Sequence, residues 1–153
     1  MSIRIVDVTA PDGAVIEPEL LAAAFPVHAQ LRPELKPERY VALLERVFAD
    51  GARMMVGLVD REGAERIAVV AVWRHYMNTH DGMRFYVDDL VTDSAERSGG
   101  VGKVMLDALR ERAVELGCNS FTLDSGTHRA AAHRFYFRER MTIGSFAFRQ
   151  VLK

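Results

Sequence analysis

The residue types with chemistry to offer crowd into one stretch. Asp88-Asp89-Leu90-Val91-Thr92 runs into Arg97-Ser98-Gly99-Gly100-Val101-Gly102-Lys103, and a regular helical pattern starts at once behind it. A strand feeding a glycine-rich loop that opens a helix places unpaired N–H groups at the positive end of the helix dipole. Glycines let a phosphate oxygen come close to the backbone, so the loop predicts an anion site for a phosphate-bearing ligand. Asp88 and Asp89 add two carboxylates, the usual acceptors of a proton from a reacting group. On a regular strand neighbouring side chains point to opposite faces, so only one of the two meets a ligand. Further on, Tyr136 stands between Phe135 and Phe137, where its phenol is either a proton donor or a core aromatic.

Two other phosphate-binding patterns fail on spacing. A P-loop ATPase needs Gly where Arg97 stands and Ser or Thr where Val104 stands. A dinucleotide fold matches Gly100 and Gly102, and Asp124 lies about twenty residues on, but its third glycine position is Met105. The five histidines include His75 and His80 beside a turn and His128 and His133 five apart, a set with no metal-ligand spacing. No metal is expected. Cys118 is the one cysteine, which excludes an intrachain disulfide and reads as a small buried hydrophobe.

The 153 residues fit one domain, 1–153. Lys and Arg number 20 against 21 Asp and Glu, so no general field draws the chain to nucleic acid or anionic membrane, and any phosphate attraction must be local. Neither nucleic acid nor membrane is an expected partner. The opening Met-Ser-Ile-Arg has no apolar h-region, and runs such as Leu20–Val27 and Ile67–Trp73 are too short to cross a bilayer. A cytoplasmic protein is the expectation.

The elements that must position the loop are legible in outline. Ile3–Val8 reads as a strand. Residues 17–30 read as helix with an interruption at Pro26, and Pro37 opens a second helix carrying Tyr40, Val41, Leu44, Val47 and Phe48. Met54–Val59, Ile67–Tyr76 and Met83–Thr92, separated by short turns, predict an antiparallel meander. Gly102–Leu116 is helical, with Val104, Leu106, Leu109, Ala113 and Leu116 facing inward and Gly117 as C-cap. Phe121–Leu123 is a short strand, Arg129–Arg138 a helix, and Ile143–Val151 one or two closing strands. The strand–helix–strand unit Tyr86–Asp124 requires one parallel pair in a mostly antiparallel sheet, with a right-handed crossover. The fold class is α+β, a mixed sheet with helices on both faces.

Arg97-x-x-Gly100-x-Gly102 resembles the coenzyme A signature of the GNAT superfamily, the general N-acetyltransferases. Asp89–Thr92 resembles that family's fourth strand. Asp124-Ser125-Gly126 and Ala132-His133-Arg134-Phe135-Tyr136 resemble its fifth strand and following helix. The resemblance implies an acyl-CoA N-acyltransferase fold with one parallel, splayed strand pair. It also implies acetyl-CoA as cosubstrate and transfer of an acetyl group to a primary amine by direct attack in a ternary complex. It assigns the pyrophosphate to backbone groups of Ser98, Gly99, Gly100, Val101, Gly102 and Lys103, with Arg97 as the motif's first residue. Leu90, Val91 and Thr92 fall where a strand bulge turns backbone groups toward pantetheine and the thioester. Ser125, Arg129 and Phe135 complete the coenzyme set, Tyr136 is the general acid, and Asp88 occupies the position of a strand carboxylate in some polyamine-acetylating members. The pattern departs from the family at Arg140-Met141, where Gly-Phe is usual, and at His128 or Arg129, where Asn is usual. The acceptor, a small-molecule amine or a protein lysine, has no motif. A homodimer is open, as is a coenzyme A-binding regulatory or partner-binding domain without turnover.

Overall fold

Alternating and continuous apolar runs build a sheet whose strands zip up in chain order. The computed structural model describes residues 2–153. The chain divides into two compact units, Met1–Thr122 and Leu123–Lys153. Strand β1 (Ile3–Asp7) pairs antiparallel with β2 (Arg53–Arg61), β2 with β3 (Ala64–Asn78), and β3 with β4 (Gly82–Thr92). β5 (Ser120–Leu123) lies beside β4, giving the order β1-β2-β3-β4-β5. The Asn119 N–H donates to Met83 O at 2.7 Å and the Thr122 hydroxyl to Phe85 O at 3.1 Å, so β5 advances in the same direction as β4. This is the one parallel pair of the mixed sheet, as expected.

Both faces of the central strands are covered, which is why Ala68–Trp73 of β3 is buried without alternation. On one face lie α1 (Pro18–Ala23), α2 (Phe25–Leu31) and α3 (Tyr40–Ala49). Their Leu21, Ala24, Val27, Tyr40, Leu44 and Phe48 pack with Val56, Val70, Val72 and Val91. The helical stretch breaks at Ala24, where Pro26 in the first turn of α2 has no N–H to continue α1. On the other face α4 (Val101–Glu115) packs against β1, β2, β3 and β4. Gly117, at φ 71°, ends α4 in a left-handed turn: its N–H reaches Val114 O at 3.0 Å and that of Cys118 reaches Ala113 O at 2.9 Å.

Two expectations change. The inward face of α4 is Val101, Met105, Leu106, Leu109 and Ala113, whereas Val104 and Leu116 are more than a third exposed. The helix begins one residue earlier than its glycines suggest, and Leu116 follows its last full turn. The closing strands at Ile143–Val151 do not form. Residues 139–153 carry no strand, and Phe146 and Phe148 are exposed. Apolar, aromatic residues favour a strand, but a strand exists only where a neighbour supplies the ladder.

The second unit contains α5 (Ala130–Arg138) behind the turn at Ser125–Arg129. Within it His133 Nε2 lies 2.8 Å from Gly126 O, tying the helix to the segment before it.

Candidate active site

β4 carries the decisive irregularity. Val72 of β3 faces Asp89 and Trp73 faces Val87, so Asp88 is an extra residue on β4, a β-bulge. The bulge overturns the expectation that Asp88 and Asp89 point to opposite faces. Asp88 pairs with Arg74, whose Nε and Nη2 donate to Asp88 Oδ2 at 2.9 and 2.6 Å. Arg74 also reaches the carbonyl of Asp50 at the end of α3, so this pair lies on the face covered by α1–α3. Asp89 meets α2 on that same face: its Oδ2 is 2.7 Å from His28 Nε2, and its Oδ1 accepts from Arg32 Nε at 2.9 Å. One inserted residue therefore brings both carboxylates to one side of the sheet.

Their environments separate them. Burial pushes the Asp88 carboxyl above its ordinary range, and the Arg74 guanidinium offsets only part of that effect. Burial acts the same way on Asp89, but hydrogen bonds from His28 and Arg32 outweigh it and hold that carboxyl below its ordinary range. Asp88 is the more basic of the two, and hydrogen bonding favours the ionised form of Asp89.

The bulge lies two residues earlier than Leu90–Thr92, where it was expected. Leu90, Val91 and Thr92 form regular ladder with Ala71, Val70 and Val69. The Asp93 N–H donates to Ala68 O at 2.8 Å, and alternation along the strand turns Val91 toward β3 as well. The N–H groups of Leu90 and Thr92 thus face the opposite edge of the strand.

The glycine loop follows. Asp93 accepts from Ala95 N–H at 3.2 Å and caps a short 3-10 turn, Ser94–Glu96. Glu96 is clasped by Arg61, which fixes the approach to the loop. Arg97, Ser98, Gly99 and Gly100 are exposed. Ser98 and Gly100 both take left-handed conformations, φ 72° and 77°. Gly100 is the N-cap of α4 and supplies no side chain to its first turn, so Val101, Gly102 and Lys103 begin the helix without a side-chain cap. A Cβ at Gly100 would meet no atom within 4 Å, so the loop is open beside it. An anion fits this loop.

In the second unit Tyr136 is half-buried on α5, its ring 5.4 Å from that of Phe135. Burial raises its phenol, with Arg129 pulling the other way. The Ser125 hydroxyl is buried and has no hydrogen-bond partner, and the same is true of Trp73 Nε1 and the Ser120 hydroxyl. The described residues hold no cluster of three or more His, Cys, Asp or Glu suited to a metal ion.

Comparison with known proteins decides the family. Residues 19–141 match the model of the Acetyltransferase (GNAT) family. The chain is also 35% identical over 130 residues to the protein called uncharacterized N-acetyltransferase YhdJ from Bacillus subtilis (strain 168), covering 84% of this chain and 89% of that protein. The chain belongs to the GNAT family of acetyltransferases. Solved structures repeat the GNAT fold at low identity. Glucosamine-6-phosphate N-acetyltransferase from Arabidopsis thaliana superposes with a TM-score of 0.73 at 19% identity, over 100% of both chains. AAC(6')-Iy, in complex with the bisubstrate analog CoA-S-monomethyl-acetylneamine, superposes with a TM-score of 0.71 at 15% identity, over 100% of this chain and 97% of the other.

Sequence reasoning singled out the loop and Asp88 but gave no role to Tyr40 or Arg74 and read His28 and Arg32 as carrying no motif. His28 is buried at 2% exposure with both ring nitrogens engaged. Nothing local marks it, because its partners Tyr40 and Asp89 lie 12 and 61 residues away.

Proposed function

We propose that this GNAT acetyltransferase uses acetyl-CoA to acetylate a primary amine by direct attack in a ternary complex. The observation that carries the reading is the sequence of structures on β4 and its exit. A bulge presents a carboxylate of raised basicity, outward-facing N–H groups follow, and a left-handed glycine then opens α4. The entire chain, 1–153, is taken to act as one transferase domain, and a cytoplasmic setting is proposed with it. No described helix is long and apolar enough to cross a membrane.

In this reading the N–H groups of Ser98–Lys103 hold the pyrophosphate, with Arg97 beside them. Leu90 and Thr92 supply donors to pantetheine and to the thioester oxygen as negative charge grows on it. Val91 sustains the ladder that aims them, and Ser125, Arg129 and Phe135 contribute further coenzyme contacts. Asp88, directly or through water, takes the proton that the amine loses. The amine lone pair attacks the thioester carbon, a C–N bond forms, and the C–S bond breaks. Tyr136 gives its phenolic proton to the departing thiolate, and the products are the acetamide and free coenzyme A. A phenol, ordinarily near 10, can protonate a thiolate of similar basicity, and burial keeps the Tyr136 phenol protonated until then.

The test is acetylation of a panel of small amines and lysine peptides, read by mass and by thiol release. Transfer of 42 mass units (about one acetyl group) to one class of amine supports the proposal. Coenzyme binding without transfer to any amine would replace it with a non-catalytic coenzyme A-binding domain.

A further inference from the structure

The bulge at Asp88 is held by a chain of side chains that touches no coenzyme position. Tyr40 Oη lies 2.8 Å from His28 Nδ1, and His28 Nε2 lies 2.7 Å from Asp89 Oδ2. Asp89 Oδ1 accepts from Arg32 Nε at 2.9 Å, and Arg32 Nη2 donates to the backbone carbonyl of Asp88 at 3.2 Å. Tyr40 is 1% exposed and His28 2%. The Tyr40 ring packs edge-on against both His28 and Phe25, at 5.6 and 5.3 Å. The chain therefore starts in α3, crosses α2 and ends on the one residue of β4 that the ladder does not accommodate.

Its protonation pattern is set by its end members. Asp89 faces donors at both oxygens, Arg32 at Oδ1 and His28 Nε2 at Oδ2, an arrangement that favours its ionised, accepting form. The other ring nitrogen, Nδ1, is taken up by the Tyr40 hydroxyl. Every polar atom has a partner, and neither ring nitrogen is left for a substrate. His28 is thus unable to serve as the base itself. A buried polar chain of this kind adds no more stability than well-packed apolar residues would, but fully satisfied it selects a single geometry.

We infer that His28, buttressed by Tyr40, is a positioning residue that sets the β4 bulge, and through Asp89 and Arg32 sets where the Asp88 carboxylate and carbonyl meet the amine. The inference rests on the proposed function in taking the bulge as the acceptor end of the site. A bulged residue has lost its ladder partner and is free to shift. A displacement of about 1 Å at the reacting groups is enough to lower turnover on the order of 10²-fold.

The experiment compares His28→Asn, whose amide mimics Nδ1 and loses the donor to Asp89, with His28→Gln, whose amide nitrogen reaches the Nε2 position and keeps it. Steady-state kinetics and hydrogen exchange of residues 87–92 are read on both. His28→Asn is expected to lower kcat by about 10- to 100-fold with the KM for acetyl-CoA unchanged, and His28→Gln to restore most of it. Exchange at 87–92 should quicken by roughly tenfold in His28→Asn and stay near the parental rate in His28→Gln. Tyr40→Phe keeps the ring packing and should shift both readouts in the same direction, which covers the case of a His28→Asn chain that does not fold. A role in stability alone predicts lower melting temperatures with parental kcat, and that result would overturn the inference, as would a loss of kcat with parental exchange. If the parent itself acetylates no amine, the functional reading fails, and the exchange contrast still decides whether His28 fixes the bulge.

Discussion

Asp88 and Arg74 face each other across the bulge of β4, with Arg74 Nη2 2.6 Å from Asp88 Oδ2, and the pair does not neutralise the effect of burial on the carboxyl. A carboxylate whose conjugate acid has a raised pKa is the stronger base, and it accepts a proton in its ionised form. If Asp88 takes the amine proton, kcat/KM falls as pH drops through its pKa, at a pH above that of an ordinary carboxylate near 3.9. Asp88→Asn should lower turnover by roughly 10²–10⁴-fold and abolish that acid limb. A rate profile with the same acid limb in the variant assigns the limb to another group and removes Asp88 from the mechanism.

Asp89 makes the opposite prediction for stability. Its folded pKa lies below the unfolded value near 3.9, so its contribution is present above that pH and is lost as pH falls through the folded value. Asp89→Asn should cost about 1–3 kcal/mol at neutral pH, the usual cost of unsettling a buried hydrogen-bonded group. The difference from the parent should shrink in acid. Melting curves of both proteins between neutral pH and about pH 3 decide it, and a constant gap would mean that Asp89 is not held ionised.

Coenzyme binding is testable without knowing the acceptor. Acetyl-CoA at about 100 times its Kd should add roughly 2.7 kcal/mol of stability, which raises Tm by several degrees in a domain of this size. No shift at millimolar acetyl-CoA would mean that the loop does not bind it.

Gly100 joins a positive φ to open space at its Cβ. Gly100→Val strains the left-handed cap by about 1–2 kcal/mol and fills the space a phosphate would occupy. Acetyl-CoA affinity, measured by calorimetry, should fall by more than that strain alone explains. Parental affinity in a folded Gly100→Val protein would reduce the loop to a turn.

Tyr136→Phe removes one hydroxyl and keeps the ring. As the general acid, Tyr136 should be worth roughly 10²–10⁴-fold in kcat, against about 1 kcal/mol of stability. Kinetics beside a melting curve separate the roles: near-parental turnover would leave water or another group as the acid.

The loop was legible in the sequence because its logic is local. Gly100 and Gly102 stand directly before a helical repeat, and a helix start exposes its own N–H groups whatever surrounds it. The meander and the parallel β4–β5 pair were legible for the same reason, through short turns and one long helical crossover between Thr92 and Ser120. The faces of the helices were less so. Val104 fits an apolar repeat yet is exposed, since the sheet decides which side of α4 is covered. Ile143–Val151 has the composition of strands but finds no ladder. Asp88 and Asp89 were read as pointing apart, because alternation is the rule for a strand and a bulge is a property of two strands in register. The extra residue shows only when Val72 is set against Asp89 and Trp73 against Val87. The same holds for His28. Its burial and its reach to Asp89 depend on helices α2 and α3 packing over β4, and contacts 12 and 61 residues apart in the chain leave no periodic trace in it.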